Sequence, residues 1–175
     1  MRNFIVVCIG FLLIGCASNN AVVINTKDGN SVNDLIENKS FEITSKWAAP
    51  RSVNIGFLLP VGTSPNNIPI TGTKNHFIQK GDSIDISLPY YGELQMGKGF
   101  VSRDAGIQFS GTPEEYTSTY DEGKKFHKVD FKIKDGQESY TITLRLYNNL
   151  TSRIHVFSSH RSSIIYTGVV KEISD

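Results

Sequence analysis

The sequence predicts a mainly β domain: an antiparallel meander that forms a sandwich or a partly closed barrel, with one short N-terminal helix. Three observations lead there. Between residues 126 and 170, apolar side chains recur at every second position in one segment after another. That is the period of a strand with one buried face. The segments are separated by short turn signals such as Asp135-Gly136 and Asn148-Asn149, which suit hairpins. Helical spacing with a start signal occurs at one place, from Ser31 onward.

The chain opens with basic Arg2 and an apolar run from Phe4 to Ile14, and then reads Leu13-Ile14-Gly15-Cys16. This pattern fits a secretory signal over 1–15 that ends in a bacterial lipoprotein cleavage box. Gly15 offers the small residue that a signal peptidase needs before the cut. The Cys16 thiol is the nucleophile that would take a diacylglycerol. The apolar run is about 11 residues, well short of the roughly 20 needed to span a bilayer. Membrane contact after processing is therefore expected through lipid on Cys16, and stable anchoring takes more than one acyl chain. Residues 16–30 read as the lipidated cysteine and a polar tether. Residues 31–175 read as a single β domain.

Ser31-x-x-Asp34 has the form of a capping box, with Val32, Leu35 and Ile36 on one helical face and an end near Asn38. From Phe41 the period becomes two, through Ile43 to Trp47, and Ala48-Ala49-Pro50 is expected to break the run. A strand over 53–59 is expected next. A long irregular excursion follows, punctuated by Pro60, Pro65, Pro69, Gly62 and Gly72. Phe77-Ile78 leads to a turn at Lys80-Gly81-Asp82, after which Ile84, Ile86 and Leu88 alternate with polar residues. Residues 93–105 hold no period and read as a loop long enough to carry a role. Ile107 and Phe109 start another strand, and 113–120 suits an edge or a surface strand. Inward stripes follow at Val129, Phe131 and Ile133, at Tyr140, Ile142, Leu144 and Leu146, at Ile154 and Val156, and at Ile164, Tyr166, Gly168 and Val170.

The composition excludes several function classes. Cys8 and Cys16 are the two cysteines. Loss of the signal and lipidation would leave no thiol for catalysis, a redox pair or a disulfide. The chain has 18 Lys+Arg and 17 Asp+Glu, and removal of Arg2 with the signal leaves 17 against 17. A balanced, dispersed charge gives no long-range attraction for nucleic acid, so none is expected as a partner. His76, His127, His155 and His160 show no zinc-ligand spacing, so no metal and no cofactor is expected. Gly-x-Ser-x-Gly is missing, and the Glu114-Glu115 and Asp121-Glu122 pairs read as solvated turns.

The best binding candidate by sequence is Pro89-Tyr90-Tyr91-Gly92, with Arg103 and Asp104 beyond the next loop. Tyrosines at a strand end can stack on a ligand while their hydroxyls stay wet. The alternative is that one tyrosine caps the core and the other covers a strand edge. Phe57-Leu58-Leu59 is either an exposed apolar patch or core. Asp82-Ser83-Ile84 has the Asp-Ser/Thr-apolar form of a bacterial O-glycan acceptor triplet, which makes Ser83 a candidate for glycosylation.

The order and spacing of Leu35-Ile36-Glu37-Asn38-Lys39-Ser40-Phe41-Glu42-Ile43, Trp47-Ala48-x-Pro50 and Lys80-Gly81-Asp82-Ser83-Ile84 carry a resemblance. So do Leu88-Pro89-Tyr90-Tyr91-Gly92, Gly106-Ile107-Gln108-Phe109-Ser110-Gly111 and Ile165-Tyr166-Thr167-Gly168. Over residues 31–172 the chain resembles the uncharacterised bacterial lipoprotein family described as domain of unknown function 4251, found mainly in Bacteroidetes. The resemblance implies an exported, lipid-anchored, mostly β domain and carries over no catalytic residue. The chain departs from the family's pattern at 57–74 and 93–105. The expected function is a non-enzymatic binding or accessory module, anchored in the cell envelope through Cys16. Its expected place is the outer membrane, facing the periplasm, and its partner a small molecule or an envelope protein. A structural or assembly subunit of an envelope complex is the alternative, and an unrecognised enzyme the second.

Overall fold

The computed structural model describes residues 31–51, 59, 61–95 and 106–173. The expected signal, Cys16 and tether therefore lie outside the described residues, as does nearly all of the expected 53–59 strand. Helix α1 (Val32–Glu37) forms as its cap predicts: the Ser31 hydroxyl accepts from the Asp34 amide, and the Asp34 carboxylate accepts from the Ser31 amide. Val32, Leu35 and Ile36 are buried. Lys39, at φ 48°, reverses the chain into β1 (Ser40–Pro50). Among the described residues no helix is long and apolar enough to cross a membrane.

Nine further strands follow among the described residues: β2 (Ile68–Pro69), β3 (His76–Lys80), β4 (Ser83–Leu88), β5 (Ile107–Gly111), β6 (Glu114–Asp121), β7 (Phe126–Asp135), β8 (Glu138–Tyr147), β9 (Thr151–Ser158) and β10 (Ile164–Lys171). They make one antiparallel sheet in the order β5-β4-β3-β1-β10-β9-β8-β7-β6, with β2 also on β1. Two meanders, β3 to β5 and β6 to β10, are thus joined through β1. The sheet curls into a half-barrel, the second of the two expected architectures. Its two arms meet across the core: Phe77 on β3 lies 6.0 Å from Phe131 on β7, and the Gln79 amide donates to the Tyr116 hydroxyl on β6 at 3.1 Å. The inward stripes expected on β4 and β7 to β10 are buried, apart from Gly168, and Gly136 turns the β7–β8 hairpin at φ 58°.

Two expectations are corrected. Ala48-Ala49-Pro50 does not break the first strand, because β1 runs on to Pro50. It does so through a β-bulge. Ser45 pairs with Gly168 but Trp47 pairs with Thr167, so Lys46 is an extra residue and the inward face switches from Phe41, Ile43 and Ser45 to Ala48 and Pro50. Gly168 allows the close approach, since a Cβ there would sit 2.2 Å from the Thr44 carbonyl oxygen. Buried Asn75 supplies the partners that the bulge leaves over. It accepts from the Ser45 amide at 2.9 Å and donates to the carbonyls of Ser45 and Thr73. The excursion after β1 also belongs to the core, because Ile68 and Ile70 are buried and the Ile70 amide donates to the Lys46 carbonyl.

Candidate functional site

The tyrosines chosen from the sequence part company in the structure. Tyr90 is 1% exposed. Its hydroxyl donates to the Ser162 carbonyl at 2.5 Å and lies 3.0 Å from the Ser162 hydroxyl, while the Arg161 guanidinium stands 5.1 Å from its ring. Burial pushes the hydroxyl above the usual tyrosine range. Of the two readings offered by the sequence, Tyr90 follows the one in which a tyrosine caps the core, which corrects its choice as a wet stacking residue: both ring and hydroxyl are consumed by the core. Tyr91 is half-buried and packs on the same core. Arg103 and Asp104 lie outside the described residues. Ser83 is exposed at the start of β4, beside Asp82, which is paired with Lys39. Of the 57–59 stretch, Leu59 is described, and it packs partly buried against the core.

A cleft of about 530 Å³ lies between β4, β5 and the end of β7. His76 Nε2 is hydrogen-bonded to Asp85 there, and Ser87 sits opposite His76 in the ladder. No hydrogen bond joins Ser87 to His76, so the pair does not extend to a nucleophile as a serine triad would. Among the described residues no three His, Cys, Asp or Glu side chains cluster so as to hold a metal ion.

The most distinctive chemistry lies on the outer face of β10, β9 and β8. Here Arg51, Arg145, Arg153, His155, Thr143 and Ile165 line a pocket of about 340 Å³. The ladder builds it. Arg145 faces Arg153 across the β8–β9 hairpin, Thr143 faces His155, and His155 faces Ile165. Arg51 arrives because β1 pairs with β10, and its amide donates to the Ser163 carbonyl. Like charges directly opposite each other on a sheet are unfavourable. None of the three arginines has a carboxylate within ion-pair distance among the described residues. Asp130, whose carboxylate feels the Arg145 charge, is already committed. Burial alone would raise its pKa, but bonds from Lys128 at 2.7 Å and the Thr143 hydroxyl at 2.6 Å, with the Lys128 and Arg145 charges, hold it below the usual carboxylate range.

Two nitrogens in this pocket, Arg145 Nε and His155 Nε2, are buried with no hydrogen-bond partner among the described residues. His155 packs against Phe157, with ring centroids 3.9 Å apart. Burial, and then the charges of Arg51, Arg153 and Arg145, push its pKa below the ordinary histidine value. The imidazole is thus neutral near pH 7, beside three permanent cations. The sequence signal for half of this site was present: Thr143 and Arg145 alternate outward on one strand, Arg153 and His155 on the next, and the Asn148-Asn149 turn sets their register.

The family profile described as Domain of unknown function (DUF4251) matches residues 25–170. The chain belongs to this DUF4251 family. The chain is also similar to a solved structure, that of a DUF4251 family protein from Bacteroides eggerthii DSM 20697. The two are 14% identical with a TM-score of 0.55, over 80% of this chain and 84% of that one. At that identity the likeness bears on the fold, which agrees with the half-barrel. No curated protein matches the chain.

Proposed function

We propose that this DUF4251 chain is a non-enzymatic binding module, anchored in the cell envelope by lipid on Cys16, whose outer-face pocket takes an anionic group. The observation that carries the reading is the convergence of Arg51, Arg145, Arg153 and His155 on one pocket, with no carboxylate of the described residues within ion-pair distance of the three arginines. Guanidinium groups match carboxylate and phosphate oxygens in paired hydrogen bonds, and an anion would relieve the repulsion between Arg145 and Arg153. What supports the anchoring is the Leu13-Ile14-Gly15-Cys16 sequence behind a basic and apolar leader. The proposed location is the outer membrane, on its periplasmic side.

Two measurements test the reading. Cells fed tritiated palmitate should label the chain, and Cys16→Ser should abolish the label. Calorimetry on the mature chain carrying Cys16→Ser should detect inorganic phosphate or sulfate, and Arg153→Gln should remove the heat. A chain that takes no palmitate, or that binds no anion at low salt, would overturn the corresponding half.

A further inference from the structure

Next to the cationic pocket lies a second hollow of about 390 Å³, lined among others by Lys46, Trp47, Tyr147, Thr151, Arg153 and Thr167. Arg153 lines both hollows. One ladder row runs across them in the order Trp47, Thr167, Arg153, Arg145. Trp47 is 41% exposed. The alternation that starts at Phe41 would have put it inside. The bulge at Lys46 turns it out, and Gly168 and Asn75 hold that bulge. Bulges that re-aim a side chain gather next to functional sites.

From this we propose that the site takes an acidic saccharide of at least two units. Its anionic group would sit among Arg51, Arg145, Arg153 and His155, and a neighbouring ring would lie over Trp47. The proposal rests on the reading of the pocket as an anion site. The spacing supports it. Trp47 and Arg153 are two strand steps apart, about 10 Å, which exceeds one sugar ring. The surroundings support it too. A sugar offers an apolar face and a rim of hydroxyls. Trp47 supplies the apolar surface, and Thr151, Thr167 and Lys46 supply donors and acceptors beside it. A nucleotide base would call for a slot with a second ring facing Trp47. The other aromatic of the hollow, Tyr147, is turned edge-on to Phe126, with centroids 5.5 Å apart.

The test is calorimetry on the mature chain with Cys16→Ser. The titrants are inorganic phosphate, galacturonate, digalacturonate, a sulfated disaccharide, maltose and AMP. At least one acidic disaccharide should bind about tenfold more tightly than phosphate, a difference the size of one aromatic contact. Maltose should not bind. Trp47→Ala should erase the tenfold gain and leave phosphate binding unchanged, and Trp47→Tyr should restore most of it. If phosphate binds but no acidic disaccharide binds better, or AMP binds best, the saccharide proposal is wrong and the anion site stands. If nothing binds, the anion reading fails with it.

Discussion

Replacing Arg145 with Met should make the protein more stable while removing its anion site. Arg145 is half-buried, its Nε has no partner among the described residues, and Arg153 stands directly opposite. A buried donor left unpaired costs about 1–3 kcal/mol. Two unit charges about 6 Å apart repel by about 0.7 kcal/mol in water and about 3 kcal/mol at an effective dielectric of 20. Arg153 is exposed, so the lower part of that range applies. Methionine keeps the unbranched apolar stem. The losses are the contact of the guanidinium with the Phe126 ring at 5.4 Å, worth about 0.5–1 kcal/mol, and attraction to Asp130 of about 1 kcal/mol. The balance favours Arg145→Met by about 1 kcal/mol, or about 3 °C in Tm for a domain of this size. Urea unfolding of the Cys16→Ser chain, with and without the second substitution, measures it. A destabilisation of 1 kcal/mol or more would mean that the guanidinium is a structural tie, and the reasoning about an unpaired cationic pocket would be refuted.

Three other outcomes are expected. Gly168→Ala should cost roughly 3 kcal/mol or more, because the added carbon meets backbone at Thr44 and Ser45 that cannot rotate away; a thermal melt within 2 °C of the parent would count against the bulge. Asn75→Ala should cost about 2–4 kcal/mol by stripping partners from the buried Ser45 amide and carbonyl, and chemical denaturation reads it. Stability should fall as pH drops below about 6.5. His127 and His155 are both held below the ordinary histidine value, His127 by burial with Glu37 pulling the other way, and His155 by burial and the three arginines. The unfolded chain therefore takes up protons first, which favours unfolding from about pH 6.5 down to the folded values. Urea midpoints at pH 7.5 and 5.5 should differ less in the His127→Gln, His155→Gln double variant, and an unchanged slope would exclude both histidines.

What could be seen in the sequence was local. The Ser31–Asp34 cap, the Gly136 hairpin and the inward stripes of β4 and β7 to β9 follow from spacing within a few residues. The bulge at Lys46 does not, because what permits it is a glycine on β10 and an asparagine before β3, remote in the chain. Without it, Phe41 to Trp47 reads as one unbroken alternation, and Trp47 falls on the wrong face. Ile68 and Ile70 escaped for a related reason: a two-residue strand, Ile68–Pro69, is too short to show a period. Which of the two readings holds for Tyr90 could not be seen in the sequence, because a strand end leaves open whether the chain turns in or out, and the Ser162 carbonyl that fixes it inside belongs to another turn. The cationic pocket was half visible. The Arg145–Arg153 pairing follows from one hairpin, whereas Arg51 joins through the pairing of the first strand with the last.

The most direct test of the account is the His155 titration followed by NMR, with and without phosphate. The Cys16→Ser chain should show a His155 pKa below the ordinary value, and saturating phosphate should raise it, because an anion among Arg51, Arg145 and Arg153 offsets the charges that hold it down. A His155 pKa that phosphate leaves unmoved would contradict the anion site, and with it the proposed function.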